Sequence, residues 1–284
     1  MIDLLQRLLP RSLRQPTPVP DALWQSTLAA HPFLTALNLE ERDRLRLLCT
    51  HFLAEKEFHG ANGLELTDAM ALAIAAQACL PLLHMHGTSG EALRDPLKLL
   101  DWYGDFVGIV VQPGAVVARR KTTDGAGVVH HFDEVLAGEA MDRGPLMLSW
   151  EEVAQASAAA EHGSNVVIHE FVHKMDMRGI SLGEHPDGAP PLPRGFMGTR
   201  NASEARNRWR QTMEVAFDGF REAVTMAERF AAERPWLDDY AAKDPAEFFA
   251  VTCEAYFVSR PRFEQEFPAL VALYDGFFRP APTP

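Results

Sequence analysis

Asn165-Val-Val-Ile-His169-Glu170-Phe-Val-His173-Lys-Met-Asp176-Met-Arg178 is the stretch around which the rest of the chain is read. Two histidines at i and i+4 stand one turn apart on one helix face, so both imidazoles can reach one Zn²⁺. Glu170, beside the first of them, can serve as general base for an attacking water. Asn165 or Ser164 can cap the helix start and Gly179 can end it, while Val166, Val167, Phe171, Val172 and Met175 give it apolar sides. Chance supplies a match of this type at most about 0.06 times in a chain of this composition. The bare motif is therefore suggestive, and the helical context weighs against the bland reading of an amphipathic helix with two exposed histidines. Asp176 lies three residues after His173 and shares the ligand face. It is read as accepting a ring N–H from a ligand histidine, ahead of ligation or a plain surface acid.

Catalytic zinc takes three protein ligands and keeps one position open. The metzincin continuation is absent after His173, so the third ligand comes from elsewhere. Asp244-Pro-Ala-Glu247-Phe-Phe-Ala-Val-Thr-Cys-Glu254-Ala-Tyr-Phe-Val258 is strongly apolar, yet it carries Glu247 and Glu254 seven residues apart on one face. Buried carboxylates need partners. Asp244-Pro-Ala-Glu247 also reads as a helix start with Pro at N1 and Glu at N3. Capping and ligation both stay open for Glu247, with Glu254 as the rival ligand.

The 284 residues are 47% apolar and 23% charged, ordinary globular composition. A net charge of −12 argues against direct nucleic-acid binding or an anionic membrane surface. Cys49, Cys79 and Cys253 are widely spaced and read as reduced thiols. The N-terminal Met1–Pro20 carries arginines and prolines inside its apolar stretch and does not read as a signal peptide, so a cytoplasmic location is expected. The apolar run Ala69–Leu83 is too short to span a bilayer and reads as a buried helix.

Residues 1–20 read as a flexible Pro-containing arm, 21–100 as a helical N-terminal part, 101–275 as the catalytic part and 276–284 as a loose tail; 21–275 can equally be one compact unit. Short β-rich runs begin near Phe106, Ala115, Val128 and Gly144, and helices are expected over roughly 151–160, 165–177, 203–233 and 244–258. Residues 145–149 read either as an edge strand that binds extended substrate or as a core strand. The Gly- and Pro-rich stretch 179–200 reads as a lid or specificity loop, in which His185 could approach the metal. His84, His86, His130 and His131 have no motif partner and read as surface or packing residues.

The metal-helix string, with Asp239-Tyr240-Ala-Ala-Lys-Asp-Pro-Ala-Glu247-Phe-Phe and Gly144-Pro-Leu-Met-Leu-Ser-Trp150, resembles the bacterial Mlc titration factor family of zinc peptidases over roughly residues 30–280. The resemblance implies an α+β, zincin-like fold similar to the lethal factor catalytic domain: a small mixed sheet and an active-site helix, preceded by packed helices. It implies one Zn²⁺ per chain on His169, His173 and Glu247, which leaves Asp176 and Glu254 to support the ligands from behind. It also singles out Tyr240 as a catalytic partner of Glu170, able to hydrogen-bond an oxyanion. The implied activity is peptide hydrolysis, aminopeptidase-like and regulatory, on a peptide or protein substrate. The alternative is a weakly catalytic or non-catalytic protein that sequesters a transcriptional repressor of the Mlc type.

Overall fold

A computed structural model describes residues 16–85, 95–114, 116–123, 129–136, 138–140, 144–178 and 185–280. Most of the arm, His86, the side chains of His130 and His131, residues 179–184 and the last four residues lie outside that description.

The first layer is helical: α1 (Asp21–Ala30), α2 (Pro32–Thr35), α3 (Leu39–Glu55) and α4 (Asp68–Cys79). Asn38 and Glu41 start α3 with a reciprocal capping box, Glu41 N to Asn38 Oδ1 at 3.0 Å and Asn38 N to Glu41 Oε2 at 2.8 Å. Thr67 caps α4 by accepting from Met70 N at 3.2 Å. Every residue of α4 from Met70 to Cys79 is buried, as its all-round apolar character requires.

Between α3 and α4 runs β1 (Glu57–Gly60), a strand inside the part expected to be helical. It joins β2 (Gly108–Gln112), β5 (Gly138–Ala140) and β6 (Leu146–Ser149) in one sheet of order β1-β2-β6-β5. The first three are parallel and β5 is antiparallel to β6. β3 (Val116–Thr123) and β4 (Val129–Leu136) form a separate antiparallel ribbon. The edge-strand reading of 145–149 is thereby corrected. β6 pairs on both sides, Ile109 with Leu146 and Gly138 with Leu148, so its backbone groups are already committed.

After α5 (Trp150–Ala154) and α6 (Ala156–Ala159), the chain enters α7 (Val166–Met177), the helix carrying the histidine motif. Asn165 caps it, its Oδ1 accepting from Ile168 N at 3.0 Å. Phe171 on α7 meets Phe52, Tyr103 and Phe106 at ring separations of 5.7, 4.8 and 5.9 Å, which fixes the helix between the first layer and the sheet.

The last layer comprises α8 (Ala202–Phe230), α9 (Pro245–Val258), α10 (Arg260–Glu266) and α11 (Pro268–Phe278). α8 ends at Phe230, three residues short of the expected end, because Ala231 after it takes a left-handed φ of 54°. Trp209 of α8 packs against Phe249, Tyr274 and Phe277. The packed chain runs past residue 275, because α11 buries Phe277 and Phe278. Among the described residues no helix is long and apolar enough to cross a membrane. The architecture is α+β and zincin-like.

The lid reading of 179–200 is not how the described part, 185–200, is built. Gly188 donates its N–H to Asp176 Oδ2 at 2.8 Å, and its carbonyl accepts from Trp209 Nε1 at 2.6 Å. Ala189 and Phe196 are buried. At Gly188 φ is +72° and a Cβ would stand 2.5 Å from Pro245 O, so glycine alone fits this close approach. The stretch is clamped against α8 and α9.

Candidate metal centre

α7 presents His169 and His173, and α9 presents Glu247 from its first turn. The two Nε2 atoms lie 3.1 Å apart, and Glu247 Oε2 is 3.1 Å from each. Among the described residues this is the one cluster of three such side chains able to hold a metal. Donor atoms around tetrahedral zinc, with ligand bonds of about 2.0–2.2 Å, stand roughly 3.3–3.6 Å apart. Shifts of a few tenths of an ångström therefore bring these three atoms onto a common ion. Two imidazoles and one carboxylate also suit zinc chemically.

Capping and ligation prove compatible at Glu247. Asp244 Oδ1 caps α9 by accepting from Ala246 N and Glu247 N, each at 3.0 Å. The Glu247 side chain is thereby released from capping and turns to the histidines. Burial opposes its charge, but hydrogen bonds from the two rings hold its carboxyl well below the ordinary range, so it is ionised and ready for a cation.

Glu254 stands behind the cluster. Its Oε1 accepts from His169 Nδ1 at 2.7 Å, which orients the ring so that Nε2 is the nitrogen facing the centre, where a metal would take the place of its proton. Its Oε2 accepts from Ser164 Oγ at 3.1 Å and from the Asn165 amide. Asn165 Nδ2 in turn donates to Gln77 Oε1 of α4 at 2.7 Å. Burial disfavours a charged His169 ring, yet Glu254, Glu247 and Glu170 together raise its pKa well above the usual value. A proton thus competes with metal there, and loading weakens as pH falls.

Asp176 has a different partner from the one expected of it. It is fully buried and accepts from Gly188 N, tying the loop after α7 to the metal helix. Its Oδ1 has no hydrogen-bond partner among the described residues. Burial pushes its pKa up from 3.8 to about 6, offset in part by the Gly188 amide and His173. The folded chain therefore binds this proton more tightly than the unfolded chain. Stability on its account falls as pH rises between about 4 and about 6, by up to about 3 kcal/mol. Asp176→Asn is expected to flatten that part of the stability profile, measured by urea unfolding at a series of pH values; an unchanged slope counts against the assignment.

Glu170 is 5% exposed and lines, with His169 and Tyr240, a cavity of about 670 Å³. Trp236 and Val251 form apolar wall, and Glu152 stands at its lining too. Gly163 at the same wall has φ +77°, and a Cβ there would come 2.9 Å from the Trp236 ring. Tyr240 Oη donates to Glu247 Oε1 at 2.9 Å, and its ring centroid is 6.3 Å from that of His169. Burial holds its hydroxyl well above the ordinary tyrosine range despite the opposing pull of Lys243, so it remains a donor. His185 is exposed and is not part of the cluster. His84 pairs with Glu41 at 3.0 Å, away from it.

A sequence profile of the glucose-regulated metallopeptidase M90 family matches residues 6–279. The chain belongs to the M90 metallopeptidase family. Mlc titration factor A of Salmonella arizonae is 31% identical over 264 residues, covering 93% of this chain and 92% of its own. The Enterobacter sp. strain 638 protein of the same name is 30% identical over 266 residues, covering 93% and 88%. That of Salmonella gallinarum is 30% identical over 261 residues, covering 92% and 86%. The His169–His173–Glu247 cluster is thus a candidate metal centre within a metallopeptidase family member.

Three contributors were not legible from the motif. Gln77 is the one amide in an all-apolar helix, a signal that it needs a buried partner. Ser164 was visible only as a rival cap. Lys243, four residues before Glu247, carries no pattern of its own.

Proposed function

We propose that this M90 family member is a zinc-dependent peptidase, aminopeptidase-like and regulatory, working in the cytoplasm on peptides or proteins. The observation that carries the reading is the convergence of His169 Nε2, His173 Nε2 and Glu247 Oε2 at mutual distances of 3.1 Å. His169, His173 and Glu247 would hold one zinc per chain, which would supply Lewis-acid activation of water and polarisation of the scissile carbonyl. Glu170 takes a proton from the attacking water and passes it to the leaving amine. Tyr240 turns its O–H from Glu247 to the oxygen that develops negative charge. Glu254 keeps the His169 ring oriented throughout, while Asp176 holds the segment behind α7. The cavity beside Glu170 receives the residue next to the scissile bond.

Purified protein is expected to carry about one zinc per chain by elemental analysis, as a single three-ligand site holds one ion. Its cleavage of a peptide library is expected to stop with a chelator and return with Zn²⁺. Protein without any divalent ion, or cleavage indifferent to the chelator, overturns the proposal.

The relatives' name, Mlc titration factor, favours a second reading. In it the chain sequesters a transcriptional repressor of the Mlc type and hydrolysis is slow or secondary. A repressor pull-down with the Glu170→Gln variant separates the two activities.

A further inference from the structure

Lys243 touches the site through Tyr240 and Glu247 but has been given no role in its chemistry so far. It lies between Tyr240 and Glu247 in a segment whose backbone is fixed at both ends. Asp238 Oδ1 accepts from Tyr240 N at 2.8 Å, Lys243 N donates to Tyr240 O at 3.1 Å, and Asp244 caps α9. From this rigid turn three side chains converge. Lys243 Nζ donates to Tyr240 Oη at 2.8 Å and lies 3.4 Å from Glu247 Oε1, while Tyr240 Oη donates to that same Oε1 at 2.9 Å. The ammonium also stands 4.6 Å from the Tyr240 ring centroid.

A phenol has one O–H and accepts through its lone pairs. An ammonium only donates, so contact with Lys243 forces Tyr240 to use its hydrogen elsewhere. In this structure that hydrogen goes to the outer oxygen of Glu247, leaving Oε2 for the centre. A cation beside the phenol oxygen also makes its O–H a stronger donor. When the hydroxyl leaves Glu247, the ammonium is already within 3.4 Å of the oxygen it vacates.

We infer that Lys243 is a positioning residue, which sets the direction of the Tyr240 hydroxyl and stands in for it on Glu247 when that hydroxyl turns to substrate. The role assigned to Tyr240 rests on the peptidase reading, whereas the Lys243–Tyr240–Glu247 coupling does not. A competing role for an exposed ammonium here is capture of a substrate carboxylate.

The test compares Lys243→Met, Lys243→Arg, Tyr240→Phe and the double variant Lys243→Met/Tyr240→Phe in full-length, zinc-loaded protein. Lys243→Met is expected to lower kcat at least about 10-fold with KM within about two-fold, and Lys243→Arg to recover most of it. In the Tyr240→Phe background Lys243→Met is expected to cost no more than about two-fold further. Losses that multiply, a loss carried by KM on acidic peptides, or full activity of Lys243→Met overturns the inference. Zinc affinity, read by competition with a chromophoric chelator, is the second arm and needs no turnover. Its two single-variant effects are expected to depart from additivity by about three-fold or more. Should the wild-type protein cleave nothing, the peptidase reading fails by itself; additive zinc affinities then overturn the positioning role.

Discussion

Glu170→Gln is expected to reduce peptide cleavage by about 1,000-fold or more while zinc content and thermal stability stay near those of the parent protein. The substitution preserves volume while removing the carboxylate's charge and its capacity to accept a proton. Glu170 is outside the His169–His173–Glu247 cluster, so the donor set is untouched. It sits on the cavity wall next to His169, where an attacking water would have to be deprotonated. Steady-state kinetics on a cleaved peptide, beside elemental analysis of the same preparation, checks this. Cleavage within about ten-fold of the parent means that another group is the base. Repressor binding that survives the change separates the hydrolytic from the sequestering role; binding lost with it ties the two together.

The second large effect concerns a residue that never touches the metal. Glu254→Gln is nearly isosteric, yet three donors converge on this carboxylate: His169 Nδ1, Ser164 Oγ and the Asn165 amide. Glutamine offers one acceptor oxygen and an NH₂, and the NH₂ must then face a donor. If it faces His169, the ring loses the acceptor that fixes its tautomer and Nε2 is no longer reliably a lone pair. If it faces Asn165, the start of α7 loses an acceptor in a site only 3% exposed. Either way, zinc affinity is expected to fall about 10- to 100-fold. Stability in the absence of added zinc is expected to fall by about 1–3 kcal/mol. Chelator competition and urea denaturation measure the two separately, and an unchanged zinc affinity removes Glu254 from the support of His169.

The metal helix could be read directly because its information is local: two histidines at i and i+4, a cap at Asn165 and apolar sides all lie within one short stretch. The other half of the centre is not local. Glu247 meets His169 across 78 residues of chain, and residue spacing alone left it balanced between capping and ligation. The fold resolves this by letting Asp244 cap alone. Asp176 illustrates the limit of face-sharing arguments. Its position on the ligand side of α7 was legible, but its partner is the amide of Gly188, brought in by a loop without periodicity. The strands show the same division. Gly108–Gln112 and Leu146–Ser149 carry apolar, β-branched character that marks them. Glu57-Phe-His-Gly60 and Gly138-Glu-Ala140 do not, and they are strands because a neighbouring strand offers its free edge.

The place of β1 in the sheet bears on how this chain can be divided. A fragment beginning near residue 100 would keep every metal ligand and still lose its footing. It would strip the β1 pairing from Glu57–Gly60 and turn β2, with Ile109 and Val111, into a bare hydrophobic edge of the kind that recruits other chains. It would also delete Gln77, leaving Asn165 Nδ2 at the head of α7 without its acceptor. The smallest fragment expected to keep the His169–His173–Glu247 cluster in place therefore includes the helices that precede it, because Gln77 supports the head of α7 from that side.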